Sequence, residues 1–201
     1  MTRPAMVLRL HNLKARGLKF GTHMPWPFSQ FRKSRAPSRG TIEAIYGMIV
    51  TQAREPLFYQ TLQVPDTVDG RFDMILLHLW IALSRLKQGN DKELSQALFD
   101  HFCSDMDANL REMGVGDLTV PKRMQAFGEA FYGRSAAYDR ALAEGRREPL
   151  AEALDRNIYN GRDIASARRL ADYVTEAIAA PADSEATPGG GVRFPDLAQW
   201  T

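Results

Sequence analysis

Ten residues in the middle of the chain, "LFDHFCSDMD" from Leu98 to Asp107, bring together one histidine, one thiol and three carboxylates. These are the side chains that bind metals or move protons. On a helix each residue turns about 100°, so His101 and Cys103 point about 200° apart and cannot grip one ion. His101 and Asp105 stand i, i+4 on a shared face and supply at most two ligands. A closed site needs more, and the only further histidines are His11, His23 and His78. His78 lies inside an apolar run, where a hydrogen-bonded core histidine is the ordinary outcome. Cys103 has acidic neighbours rather than the cation that stabilises a thiolate, so it reads as a small core side chain. A metal-dependent enzyme using His101 and Asp105 is therefore a secondary alternative. The chain also lacks GxSxG, Walker, GxGxxG and HExxH patterns. The expectation is a non-enzyme with no cofactor and no metal.

The same projection sorts the remaining polar residues. Leu94, Leu98, Phe102, Met106, Leu110 and Met113 form an inward stripe, with Phe99 and Cys103 toward one edge. Asp100, Asp107 and Arg111 fall on the opposite, solvated side. Asp105, Asn109 and then Glu112 project onto the edge of the stripe, where polar groups need partners. Arg123 and Arg134 on the following helix are the expected partners, making a polar clasp between two helices that doubles as a recognition surface.

The elements that must carry these residues are helical throughout; no period-2 alternation with hairpin signals occurs, and no repeat of fixed period. The expected fold is all-α, a single helical domain of about six to seven helices over 41–180. It follows a basic N-terminal arm (1–40) and precedes a flexible C-terminal tail (181–201). Thr41 is the expected N-cap of the first helix, which runs to about Arg54, and Pro56 opens a short segment. Asp69 is expected to cap a long helix to about Gln88, apolar nearly all round and therefore central. The next helix runs from about Asp91 to Met113, with Gly114 at its C′ position. Pro121 opens the one after, whose inward face is Met124, Phe127, Phe131, Ser135, Tyr138 and Leu142. Gly128 and Gly133 cost that helix stability, and close packing of another backbone is the expected reason. Pro149 opens a helix to about Tyr159, and a last one spans Ile164 to Ala179. Phe194, Leu197 and Trp200 make the chain end apolar enough to dock back on the body.

Nine of the 26 Lys/Arg and none of the 24 Asp/Glu fall in residues 1–42, so a basic arm precedes a net-acidic body. Such an arm suits ribosomal RNA or anionic lipid, and an adaptor at either surface is the other alternative reading. The first 23 residues are Arg-rich and acid-free like a transit peptide, though without serine, and Met24 offers another start. The most apolar run, Met74 to Leu83, is far short of the about 20 residues needed to cross a bilayer, so membrane contact is expected to be peripheral. One cysteine excludes an internal disulfide framework.

Three longer words carry a resemblance: "LFYQTLQVPDTVDGRFDMILLHLWIALSRL", "DMDANLREMGVGDLTVPKRM" and "AFYGRSAAYD". Over about Ala44 to Leu142 the chain resembles the ubiquinol-cytochrome c chaperone family, helical assembly factors of the cytochrome bc1 complex. The resemblance implies an assembly chaperone whose partner is newly made cytochrome b or another bc1 subunit, with ribosome contact and no DNA. The Ala/Arg-rich composition suggests a bacterial cytoplasmic member, peripheral to the inner membrane, or one on the matrix side if eukaryotic. The residues the words carry over as partner-binding are Asp105, Asn109, Arg111, Glu112, Asp117, Lys122, Arg123, Tyr132 and Arg134. Gly114, Pro121, Gly133, Tyr138 and Asp139 match as scaffold.

Overall fold

The computed structural model describes residues 37–180 and 192–197. Residues 1–36 of the expected basic arm, with His11, His23 and Met24, lie outside the described residues, as do 181–191 and Trp200, while Ser38 to Gly40 belong to the start of the first helix rather than to an arm. Among the described residues the chain is all-α. Its helices are α1 (Arg39–Ala53), α2 (Pro56–Gln60), α3 (Val68–Gln88), α4 (Lys92–Glu112), α5 (Val120–Ala143), α6 (Arg147–Ile158) and α7 (Ile164–Ala179).

The helix starts follow side-chain capping. Ser38, not Thr41, caps α1: its Oγ accepts the Thr41 backbone N–H at 3.1 Å, which moves the cap three residues ahead of the expected one. Thr67, not Asp69, caps α3 through its Oγ1 and the Gly70 N–H at 3.0 Å. Asp69 instead occupies the first turn, where a carboxylate favours the positive end of the helix. Asp91 and Asp163 cap α4 and α7 in the same way. Helix α6 begins at Arg147, placing Pro149 within its first turn rather than at its start. Gly114 ends the α4 turn at φ +80°, a conformation glycine adopts without strain.

Helix α3 is the centre of the body and packs against α1, α4, α6 and α7. Met74, Leu77, Leu79 and Ile81 are sealed from solvent on several of its faces, as an all-round apolar helix requires. The polar groups it buries are satisfied. His78 is 0% exposed; its Nδ1 donates to the Met74 carbonyl at 2.8 Å, so Nε2 accepts from the Tyr173 hydroxyl at 2.9 Å. Gln52 in turn donates to the Tyr173 oxygen at 3.3 Å. Burial lowers the His78 pKa to about 4, against a smaller opposing effect of the Met74 bond, and the ring is neutral. The expected core histidine is thus found. Arg85, 6% exposed, donates from Nη1 to the carbonyls of Ala177 and Ala180 at 2.8 and 3.0 Å, a cation on the negative end of α7. Tyr159 donates to the Leu62 carbonyl at 2.7 Å. The chain end docks as expected: Val192 and Leu197 are buried, and the Phe194 ring meets His78 edge-on at 5.1 Å.

Candidate functional site

Around α4 the polar clasp exists, but with a different helix. Asp105 accepts from the Tyr46 hydroxyl on α1 at 2.7 Å and from Asn109 Nδ2 at 3.1 Å, while the His101 ring packs edge-on against Tyr46 at 5.1 Å. Burial first, and then the Asp105 contact, raise the Tyr46 pKa, which keeps the hydroxyl a donor. Neither expected arginine takes part. Arg134 pairs with Asp73 on α3, and Arg123 is exposed with no ion pair among the described residues. The reason lies in the α4–α5 seam, which is aromatic: Phe99 meets Phe131 at 5.5 Å and Phe102 meets Phe127 at 5.5 Å. An ion pair there would have to leave water.

Asp105 Oδ2 is therefore already engaged by two donors, and among the described residues no group of three His, Cys, Asp or Glu could hold a metal ion. Burial, and next the Asp100 charge, raise the pKa of the half-buried Cys103 thiol. That is the reverse of what a nucleophile needs.

The second group of expected residues gathers at the α4–α5 corner. Arg111 bridges Asp107, at 2.6 Å, and Asp117. Glu112, Lys122 and Arg123 are exposed beside it. Met113 is not part of the buried stripe: it is 77% exposed, and Leu118 is 97% exposed. Met113 is the C-cap of α4, and Leu118 lies in the loop just before the N-cap of α5.

The ninth expected residue, Tyr132, is separate from these and 61% exposed. Its ring leans on Phe99 and Phe131 at 5.7 and 5.8 Å and forms one lip of a groove of about 330 Å³ between α3, α4 and α5. Trp80, Leu83 and Phe131 supply the apolar surface. Asp139 accepts from the Trp80 indole N–H at 3.0 Å. Ser135 is among the residues around the groove, but its Oγ does not open onto it, being sealed from solvent and with no hydrogen-bond partner among the described residues. A hydroxyl in that state costs about 1–3 kcal/mol of unmet hydrogen bonding. Lys87 and Lys92 also border the groove, are exposed, and form no ion pair among the described residues. A second hollow, of about 500 Å³ beside α7, carries the Arg147–Asp172 ion pair on its rim, and Arg146 there is paired with Glu144.

Sequence reasoning found Tyr132 but missed Trp80, Lys87, Lys92 and Ser135 as its neighbours. Trp80 had been absorbed into an all-apolar helix, and Ser135 sat unremarked in an inward face of aromatic residues. A serine at a core position of a helix with no partner in reach was the available signal.

Comparison with known proteins is consistent over most of this body. The sequence profile described as "Ubiquinol-cytochrome C chaperone" matches residues 60–186. Among curated proteins, the chain is 28% identical over 125 residues to "Ubiquinol-cytochrome-c reductase complex assembly factor 1" of Xenopus laevis, covering 60% of this chain and 62% of that protein. It is 31% identical over 125 residues to the Homo sapiens protein of that name, covering 60% of this chain and 42% of the human one. The chain thus spans less than two thirds of the length of these relatives. Among solved structures, the crystal structure of the Cbp3 homolog from Brucella abortus superposes with a TM-score of 0.69 at 38% identity, covering 84% of this chain and 95% of that one. The groove lies within the profile match, and "AFYGRSAAYD" supplies its α5 wall through Phe131, Tyr132, Ser135 and Asp139.

Proposed function

The chain belongs to the ubiquinol-cytochrome c chaperone family, and from that premise we propose that it is a non-enzymatic assembly chaperone of the cytochrome bc1 complex that holds newly made cytochrome b. The observation that carries the reading is the extent of the match, which runs from Gln60, the last residue of α2, past the end of α7 and so takes in all of α3 to α7. Its surface suits holding rather than reacting. The side chains with catalytic potential are engaged or shielded, whereas Tyr132, Met113 and Leu118 offer apolar area to a partner. The polar corner of Arg111, Glu112, Asp117, Lys122 and Arg123, with Asp105 and Asn109 behind it, supplies the surrounding charged rim, and Arg134 fixes α5 to α3. The protein works in the bacterial cytoplasm against the inner membrane, where such a client is inserted. No helix among the described residues is long and apolar enough to cross a membrane.

The test is a chromosomal deletion followed by measurement of assembled bc1 complex on native gels. Loss of the complex with intact cytochrome b transcript is expected, and normal levels overturn the reading. A pull-down from cells making cytochrome b is expected to recover it, and failure to recover any bc1 subunit counts against the client.

A second reading, an adaptor at the ribosome or an anionic membrane, is favoured by the charge of residues 1–42. Co-sedimentation with ribosomes or with phosphatidylglycerol vesicles is then expected to fall steeply as salt rises and to disappear when those residues are removed. Binding that survives the deletion overturns it.

A further inference from the structure

We propose that the groove between α3, α4 and α5 is an anchor site for an apolar polypeptide segment that carries an acidic side chain. The proposal rests on the reading of the protein as a chaperone with a polypeptide client, and deepens it by naming what the client must present. Three features of the groove converge on this chemistry.

The first is an apolar seat whose shape is already set. Trp80 and Phe131 are buried and held by their neighbours, and Trp80 is further fixed by its indole bond to Asp139. Tyr132 stands over them as a ring that the fold supports from below but leaves mostly in water. Exposed aromatic rings braced in this way are the usual anchors of protein interfaces. A volume of about 330 Å³ is at the small end of binding pockets, enough for anchor side chains from one face of a segment and too little for a whole helix.

The second is polarity along the groove. Asp139 is bonded to Trp80, and Lys87 follows Trp80 by seven residues on the same helix, about 10 Å further along its axis. Lys92 opens α4 just beyond. One end of the groove is therefore anionic and the other cationic. Asp91 and Glu93 flank Lys92 in sequence but do not line the groove, and neither forms an ion pair with it among the described residues. The two ammonium groups stay unmatched within the described residues, and a carboxylate on the bound segment matches them.

The third is the pair of hydroxyls of Ser84 and Ser95 on two walls of the groove, both only half-buried. These offer hydrogen bonds to the peptide groups of a bound segment, which an acyl chain would leave unused. The Asp139 end also disfavours a phosphate headgroup, so a polypeptide is the better match than a lipid.

The experiment uses the full-length protein and two labelled synthetic peptides, each apolar on one face, one carrying a terminal-turn glutamate and the other lysine in its place. Fluorescence anisotropy is expected to show the glutamate peptide bound about tenfold more tightly. The exposed double substitution Lys87→Glu with Lys92→Glu leaves the core untouched and is expected to reverse that preference. A photoreactive phenylalanine at Tyr132 is expected to cross-link the peptide, and one at Glu152 is not. Equal affinity for the two peptides, or a preference unmoved by the charge reversal, overturns the proposal. So does displacement of the peptide by phosphatidylglycerol vesicles, which makes the groove a lipid site. A Tyr132 cross-link to a second copy or to the protein's own termini, in place of the peptide, overturns it as well. The outcome is separable from that of the chaperone reading: a charge-reversed protein that fully restores bc1 assembly in the deletion strain sinks the groove and spares the family function. Peptide binding as expected, with normal bc1 levels in the deletion strain, does the opposite.

Discussion

His78 sits where an imidazolium would have neither water nor a counter-ion, and its hydrogen bonds suit only the neutral ring. Its pKa of about 4 in the folded protein lies below the ordinary 6.5, so between those values the unfolded chain binds more protons. Stability then falls as pH drops from about 6.5 toward 4, by about 2 kcal/mol between pH 7 and pH 5 for this group alone. Urea midpoints at the two pH values should show that loss, and His78→Gln should remove most of the pH dependence while lowering stability at both. Asp105 is a different case at the same scale. Its bond with Tyr46 is half-buried, so Tyr46→Phe should cost about 1 kcal/mol and leave Asn109 as the remaining donor. That bond was not legible beforehand: the projection of α4 correctly put Asp105 at the edge of the stripe but could not say which neighbour faced that edge. The choice of Arg123 and Arg134 followed chain order, whereas α1, a distant helix in sequence, is the one that arrives.

Helix identity was nearly all readable, because hydrophobic period, proline and glycine positions are local. The bounds of α7 agree to the residue and Gly114 ends α4 as expected, whereas α1 and α3 start at Ser38 and Thr67 because several Ser, Thr and Asp compete for each cap. What local reading gets wrong is the purpose of glycine. Gly128 and Gly133 were expected to admit another backbone, but a Cβ at either would meet nothing within 4 Å. Replacing each with alanine should therefore stabilise α5 by about 0.5–1 kcal/mol, read as a higher midpoint in thermal melts. Gly70, whose sequence context VPDTVDG reads as a loop but which lies in the first turn of α3, is the tight one: a Cβ there would collide with the Pro65 carbonyl. Gly70→Ala should force the turn before α3 to move and cost more than about 2 kcal/mol, whereas Gly47→Ala, in open space, should not.

For the whole molecule, the all-α body and its central helix were legible because an apolar face on every side of α3 admits no other place for it. The groove was not, because it is assembled from three helices whose relative rotation no period reveals. The closing of the core by residues 192–197 also has a measurable sign. A chain ending at Ala180 loses the Phe194 ring from the face of His78, so water reaches the imidazole. The His78 titration followed by NMR should then move up from about 4 toward its ordinary value, and an unchanged titration would show that the cover is not Phe194.

The bonds joining Gln52 to Tyr173, Leu62 to Tyr159 and Arg85 to Ala177 also set an order in time. During synthesis α1 to α3 emerge before α6 and α7, yet the partners of their polar groups lie at the end of α6 and on α7. Arg85 cannot enter the core until the carbonyls at the end of α7 exist to receive it. The early helices must therefore wait, partly open, until α7 has left the ribosome. A nonsense mutation before α7 should thus yield a protease-sensitive product with no partial activity, rather than a smaller working body.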